Sequence, residues 1–203
     1  ARCITGLVFG ETMKLRFWSL ATAMGMSAFS MAHVEIFSGV FSGLSEVPPN
    51  ASPASGVTTV TVDLDLITMR VQSSFSGLIG TTTASHIHVG GGPGTNGGVA
   101  SQTPSFVGFP LGVTSGTYDH TFDMAQASSY NASYIAGNGG TVSSAFNALL
   151  NALRQGRAYH NIHTSAFPGG EIRADLQAVP EPASMAAMGL ALIGLVSRRR
   201  KKS

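Results

Sequence analysis

Hydrophobic and polar residues alternate through most of the middle of this chain, and a period of two predicts strands. His33 to Gly43 reads as a first strand. A hairpin is expected over Val57 to Phe75: Val60, Val62 and Leu64 alternate with Thr59, Thr61, Asp63 and Asp65, and Met69, Val71 and Phe75 return along the second arm. Ser85 to Val89 continues the pattern, with His86 and His88 on one face and Ile87 and Val89 on the other. Gly116 to Met124 is another strand. Tyr159 to Gln177 predicts two more, joined by the turn Phe167-Pro168-Gly169-Gly170. In the first of these, His163 lies with Tyr159 and Asn161, while Ile162 lies with His160. If Ile87, Val89 and Ile162 mark the core, then His86, His88 and His163 share the face turned away from it.

The period changes in three places. Phe146, Leu149, Leu150 and Leu153 fall at i, i+3, i+4 and i+7, which predicts an amphipathic helix over Val142 to Gly156, capped by Ser143 or Ser144 and ended by Gly156. Phe17 to Phe29 is an apolar run. Met13-Lys14-Leu15-Arg16 precedes it and Ser30-Met31-Ala32 follows, which reads as a secretory signal cut after Ala32, with residues 1–12 an upstream extension. Ala183 to Val196 is the third, nearly all small and aliphatic, followed by Arg198, Arg199, Arg200, Lys201 and Lys202. As a helix it spans about 21–23 Å against a hydrocarbon core of roughly 30 Å, and its arginines can snorkel to cover part of the difference. The basic cluster places the tail on the cytoplasmic side and the domain across the membrane. The chain therefore divides into 1–32, 33–178 and 179–203.

Composition supports a turn-rich β domain: 25 glycines and only 11% charged residues in 203. Cys3 is the single cysteine, so no intramolecular disulfide exists and the core is held by packing. The formal net charge of +2 comes from the two ends. Residues 33–178 contain no lysine, and their basic residues are Arg70, Arg154, Arg157 and Arg173, outnumbered by acidic ones. That balance argues against nucleic-acid binding, which needs clustered cations.

Two histidines at i and i+2 plus one on a neighbouring strand could supply three imidazoles to one copper or zinc ion. His86, His88 and His163 are thus the candidate metal ligands, with His120 a further donor whose place is unset. The alternative is that these rings hydrogen-bond backbone or loop, with Asn161, Thr164 and Glu171 near enough to serve as partners. Glu171 and Arg173 are expected to form a surface or edge ion pair. No Gly-x-Ser-x-Gly elbow is present. The glycine-rich run Gly90 to Gly98 lacks the ending of a phosphate loop. Asn131-Ala132-Ser133 matches a glycosylation triplet, a weak signal by itself.

Two resemblances follow from these motifs. Pro180-Glu181-Pro182, the apolar stretch and Arg198, Arg199 and Arg200 resemble a PEP-CTERM sorting signal. This implies a bacterial exported protein, recognised by an exosortase-type membrane protease and associated with the cell surface and biofilm matrix. Phe41 to Pro49, Phe75-Ser76-Gly77-Leu78, His86-Ile87-His88 and Tyr159 to Arg173 resemble the CHRD domain, named for chordin. His160 departs from that family, which more often has an apolar residue there. The resemblance implies an antiparallel β-sandwich or barrel; together with the segments read above, the expected architecture is an all-β Greek-key domain, Cu/Zn superoxide dismutase-like, with one short helix, plus an N-terminal signal helix and a C-terminal transmembrane helix. The His-x-His strand is also similar to the copper site of Cu/Zn superoxide dismutase. The function expected is a non-catalytic binding domain, with exopolysaccharide, a surface protein or a metal as partner. The competing expectation is a metal-dependent dismutase.

Overall fold

In the computed structural model, residues 33–180 are described. The signal segment, the apolar C-terminal stretch, and Glu181, Pro182, Arg198, Arg199 and Arg200 lie outside the described residues; Pro180 is the last of them and is exposed. Among the described residues, no helix is long and apolar enough to cross a membrane.

The strands are β1 (Val34–Ser42), β2 (Ser55–Asp63), β3 (Thr68–Ser76), β4 (Thr82–Val89), β5 (Gly98–Val99), β6 (Gly116–Asp123), β7 (Ala158–Thr164), β8 (Ile172–Asp175) and β9 (Gln177–Ala178). The helices are α1 (Ala132–Gly137) and α2 (Val142–Arg154). The strands form one curled antiparallel sheet in the order β5-β4-β7-β8-β1-β2-β3-β6, with β9 paired to β1. β2 and β3 pair throughout, from Ser55 opposite Ser76 to Asp63 opposite Thr68. Their turn is set by Asp63, whose Oδ1 accepts from the N–H groups of Asp65 (3.0 Å) and Leu66 (2.9 Å), a local bond that aspartate supplies readily.

The inner face carries the apolar half of each alternation. Phe37 and Phe41 of β1, Val60 and Val62 of β2, Val71 of β3 and Phe122 of β6 are buried there. Ile87, Ile162 and Ile172 continue the same core across β4, β7 and β8, and Leu149 and Leu153 of α2 pack with it. Each such side chain contributes about 1.5–3 kcal/mol by leaving water.

Two details differ from the sequence reading. α2 begins one residue before the serines expected to cap it: Thr141 accepts from Ser144 N–H (3.1 Å), while Ser144 Oγ accepts from Thr141 N–H (3.2 Å). This reciprocal pair satisfies two otherwise open donors. At the other end Gly156 takes φ 63°, the left-handed conformation that ends a helix. The second detail is α1, a helix additional to the single one expected. Its N-cap is Asn131, which accepts from Ser133 N–H (3.0 Å); six residues are too few to show an apolar period.

β4, β7 and β8 are buried on both faces. The inner face meets the core, and the outer face meets loops. That second cover sets the environment of the candidate site.

Candidate metal centre

β4 and β7 pair with His88 opposite Tyr159, His86 opposite Asn161 and Ala84 opposite His163. Because alternate side chains share a face, His86, His88, Tyr159, Asn161 and His163 all stand on the outer side. The structure thus brings the three candidate ligands together, with ring centroids 5.2–5.7 Å apart. It also takes His86 and His88 out of solvent and leaves His163 half-buried. His86 is 7% exposed and His88 8%, whereas the alternation alone placed them on an open surface.

Each ring is oriented by one backbone carbonyl. His86 Nε2 meets Pro104 O at 2.5 Å, His88 Nδ1 meets Gly97 O at 3.1 Å, and His163 Nδ1 meets Pro168 O at 2.9 Å. A carbonyl only accepts, so these nitrogens carry the hydrogens and the opposite ones hold lone pairs. The opposite nitrogens, His86 Nδ1, His88 Nε2 and His163 Nε2, are buried with no hydrogen-bond partner. One ring nitrogen from each histidine falls within 4.8 Å of the others. Buried polar atoms without partners are uncommon, and three on one spot could serve as a donor set for a cation. Backbone carbonyls orienting metal-binding imidazoles in this way are a recurring arrangement. Asn161, Thr164 and Glu171 are not the ring partners. His120 lies on β6, at the far end of the sheet order, against Phe122 (4.7 Å between centroids), outside this group.

Over His88 the cover is the glycine-rich loop. Gly97 approaches Val89 so closely that an added Cβ would lie 2.0 Å from Val89 O, so only glycine places the Gly97 carbonyl under His88. Arg173 clamps the same loop, donating from Nη1 to Thr95 O (2.8 Å) and from Nη2 to Gly92 O (3.4 Å). Its guanidinium lies 3.6 Å from the centroid of the Tyr159 ring, on which His88 stacks at 4.9 Å. Arg173 Nε also donates to Asp175 (2.8 Å).

The expected surface pair of Glu171 and Arg173 is therefore corrected. Both side chains are fully buried and each has other partners. The Glu171 carboxylate accepts from Ser52 Oγ (2.6 Å), Ile79 N–H (2.6 Å), Gly80 N–H (3.1 Å) and Thr164 Oγ1 (2.7 Å). Burial alone would push its pKa up, but these four bonds to the charged form outweigh it and hold the carboxyl below its usual value. Two residues of this region escaped the sequence reading as site residues. Glu46 accepts from Asn161 Nδ2 at 3.1 and 3.2 Å, and burial raises its pKa to about 7. Arg173 is the other. The motif Ser45-Glu46-Val47-Pro48-Pro49 showed a turn, but nothing in it told that the turn folds back over β7.

His160 faces the core, as the alternation requires, and is fully buried. Its Nδ1 lies 2.9 Å from Thr58 Oγ1 and its Nε2 2.7 Å from Ser85 Oγ. Each hydroxyl also has a carbonyl in reach, Ser85 Oγ at Asn161 O (3.0 Å) and Thr58 Oγ1 at Gln72 O (3.2 Å), so the neutral ring donates to one of the two hydroxyls and accepts from the other. This serine–histidine contact is sealed from any substrate and is structural.

Burial lowers the pKa of all four of these histidines, that of His88 to about 4 and that of His160 to about 3. A folded pKa below the unfolded value of about 6.5 means that the unfolded chain binds protons first. Stability is then full above that pH and falls on acidification. Glu46 acts oppositely between its ordinary 4.5 and about 7, so below pH 4.5 the histidine loss is unopposed by it. Urea unfolding is expected to show a falling midpoint from pH 6 to pH 4. His160→Gln should flatten that slope by up to one proton. An unchanged slope in the variant would show that His160 is not buried neutral.

Residues 178–201 match the PEP-CTERM protein-sorting motif. A β domain joined to this tail is an exported protein, processed by an exosortase-type membrane enzyme and placed at the surface or outside the cell once past the inner membrane. Residues 37–176 match the CHRD domain, and the chain belongs to that family. No curated protein and no solved structure matches it.

Proposed function

We propose that this exported CHRD domain binds one transition-metal ion at His86, His88 and His163, and works at the cell surface as a binding protein without catalysis. The observation that carries the proposal is the set of three buried, partnerless ring nitrogens, each opposite a nitrogen fixed on a backbone carbonyl. Neutral imidazoles suit zinc and copper. Their low proton affinity leaves the lone pairs free at neutral pH, so binding need not displace protons. The loop clamp through Arg173 and Gly97 holds His88 in place before metal arrives, which lowers the ordering cost of binding. The macromolecular partner on this reading is a surface polysaccharide or protein, in keeping with the sorting tail.

The exported protein is expected to take up one equivalent of Zn(II) or Cu(II) at this centre, measured by elemental analysis after gel filtration. His88→Ala with His163→Ala should remove that equivalent, and full uptake by a folded double variant would defeat the proposal. A second reading is dismutase-type redox chemistry on a Greek-key scaffold. The observation favouring it is the ligand count: three imidazoles leave a coordination position for a small molecule. A superoxide assay on the copper-loaded protein decides between the two.

A further inference from the structure

Export gives the first residue of the domain a chemistry that the precursor lacks. The cleavage expected after Ala32 would make His33 the amino terminus and turn its main-chain nitrogen into a primary amine. An amino-terminal histidine can bind a metal through that amine and its own Nδ1, closing a six-membered chelate ring. In the structure both nitrogens already face one carboxylate. His33 N lies 3.1 Å from Asp65 Oδ2, and His33 Nδ1 lies 3.4 Å from Asp65 Oδ1.

We propose that mature His33, with Asp65, forms a second metal site on the surface, distinct from the three-imidazole centre and suited to Cu(II). Two nitrogens and a carboxylate oxygen in a tetragonal arrangement favour Cu(II) or Ni(II), and the ordinary order of affinities places copper first. The main chain fixes the parts. Leu64 N–H donates to His33 O at 2.9 Å, so the end of the chain is tied to the turn that carries Asp65.

A purely structural role explains the pair poorly. His33 is 77% exposed and Asp65 51%, and an exposed pair of this kind adds little stability. The turn does not need Asp65, because Asp63 supplies its side-chain bonds. Among the described residues, His33 is the one hydrogen-bond partner of the Asp65 carboxylate. The two ligand residues are thus free for a metal at the cost of two exposed contacts with each other.

The inference rests on the cut after Ala32 and not on the centre at His86, His88 and His163. Residues 33–178 contain no lysine, which makes a clean test available. An amine-directed acetylating reagent at neutral pH, followed by hydroxylamine to reverse any acetyl on tyrosine or imidazole, leaves only the α-amine modified within that span. The exported protein, its amino terminus read by mass spectrometry, is titrated with Cu(II) and followed by electron paramagnetic resonance before and after acetylation. The expected result is an amino terminus at His33, loss of one copper equivalent on acetylation, and at least tenfold weaker binding of that equivalent in Asp65→Asn. The difference between the two forms reads this site, so failure of the three-histidine centre would change the total and leave the difference. Equal copper uptake by the acetylated protein, or an exported chain beginning elsewhere, would overturn the proposal.

Discussion

Glu171→Ala is expected to destabilise the domain by about 3–5 kcal/mol and to lower its melting temperature by about 10 °C. Four donors converge on this carboxylate from three separate segments: Ser52 before β2, the Ile79 and Gly80 amides before β4, and Thr164 at the end of β7. Removing the acceptor leaves those donors without a partner in the protein interior, each at a cost of about 1–3 kcal/mol before relaxation or water entry. The backbone carbonyl of Glu171 also accepts from Asn50 Nδ2 at 3.0 Å, and that bond survives the substitution. Glu171→Gln keeps the shape but turns an amide hydrogen toward one of the donors, so an intermediate loss is expected. The sign with pH follows from the depressed pKa. The carboxylate contributes fully above the unfolded value near 4.5, and its contribution fades as pH falls through the lower folded value. Thermal melting of the three forms at pH 7 checks this; an alanine variant melting within about 2 °C of the parent would mean the four donors do not depend on Glu171.

The second large effect is expected from metal. A ligand that binds only the folded state at 100 times its dissociation constant adds about 2.7 kcal/mol. Saturating Zn(II) should therefore raise the melting temperature by about 5–10 °C. A chelator should reverse the rise. In His88→Ala with His163→Ala the rise should vanish, because too few imidazoles remain to hold the ion. The apo forms of parent and variant should differ much less than their loaded forms. The two ring nitrogens lost in the variant, His88 Nε2 and His163 Nε2, have no partner in the apo protein, so what disappears with the rings is the bonds to Gly97 O and Pro168 O and the stacking of His88 on Tyr159. A metal-induced rise of equal size in the variant would place the stabilising ion elsewhere.

Much of this arrangement is legible in the chain because strand alternation is a local rule. Ile87 between His86 and His88, and His160 between Tyr159 and Asn161, fix which rings share a face before any contact is known. The helix at Phe146 to Leu153 is equally local. What alternation cannot tell is what covers a face. The outer side of β4, β7 and β8 looked like surface because its residues are polar, yet the glycine-rich loop and the turn at Glu46 fold over it. That cover depends on contacts distant in sequence, such as Arg173 with Thr95 and Asn96 Nδ2 with Val47 O (2.8 Å). The reading of Glu171 and Arg173 as an exposed pair failed for the same reason: two apart in the chain at the start of β8, they are claimed by different loops. Thr141 displaced Ser143 and Ser144 as the cap because the extended residue before the first turn, not the first polar residue within it, accepts the open amides.

The most direct test is X-ray absorption at the zinc edge of the exported protein loaded with one equivalent of Zn(II). The account predicts a first shell containing three histidine nitrogens at about 2.0–2.1 Å, with the imidazole scattering lost in His88→Ala with His163→Ala. A shell of oxygens without histidine, or zinc that washes out of the folded protein, would contradict it.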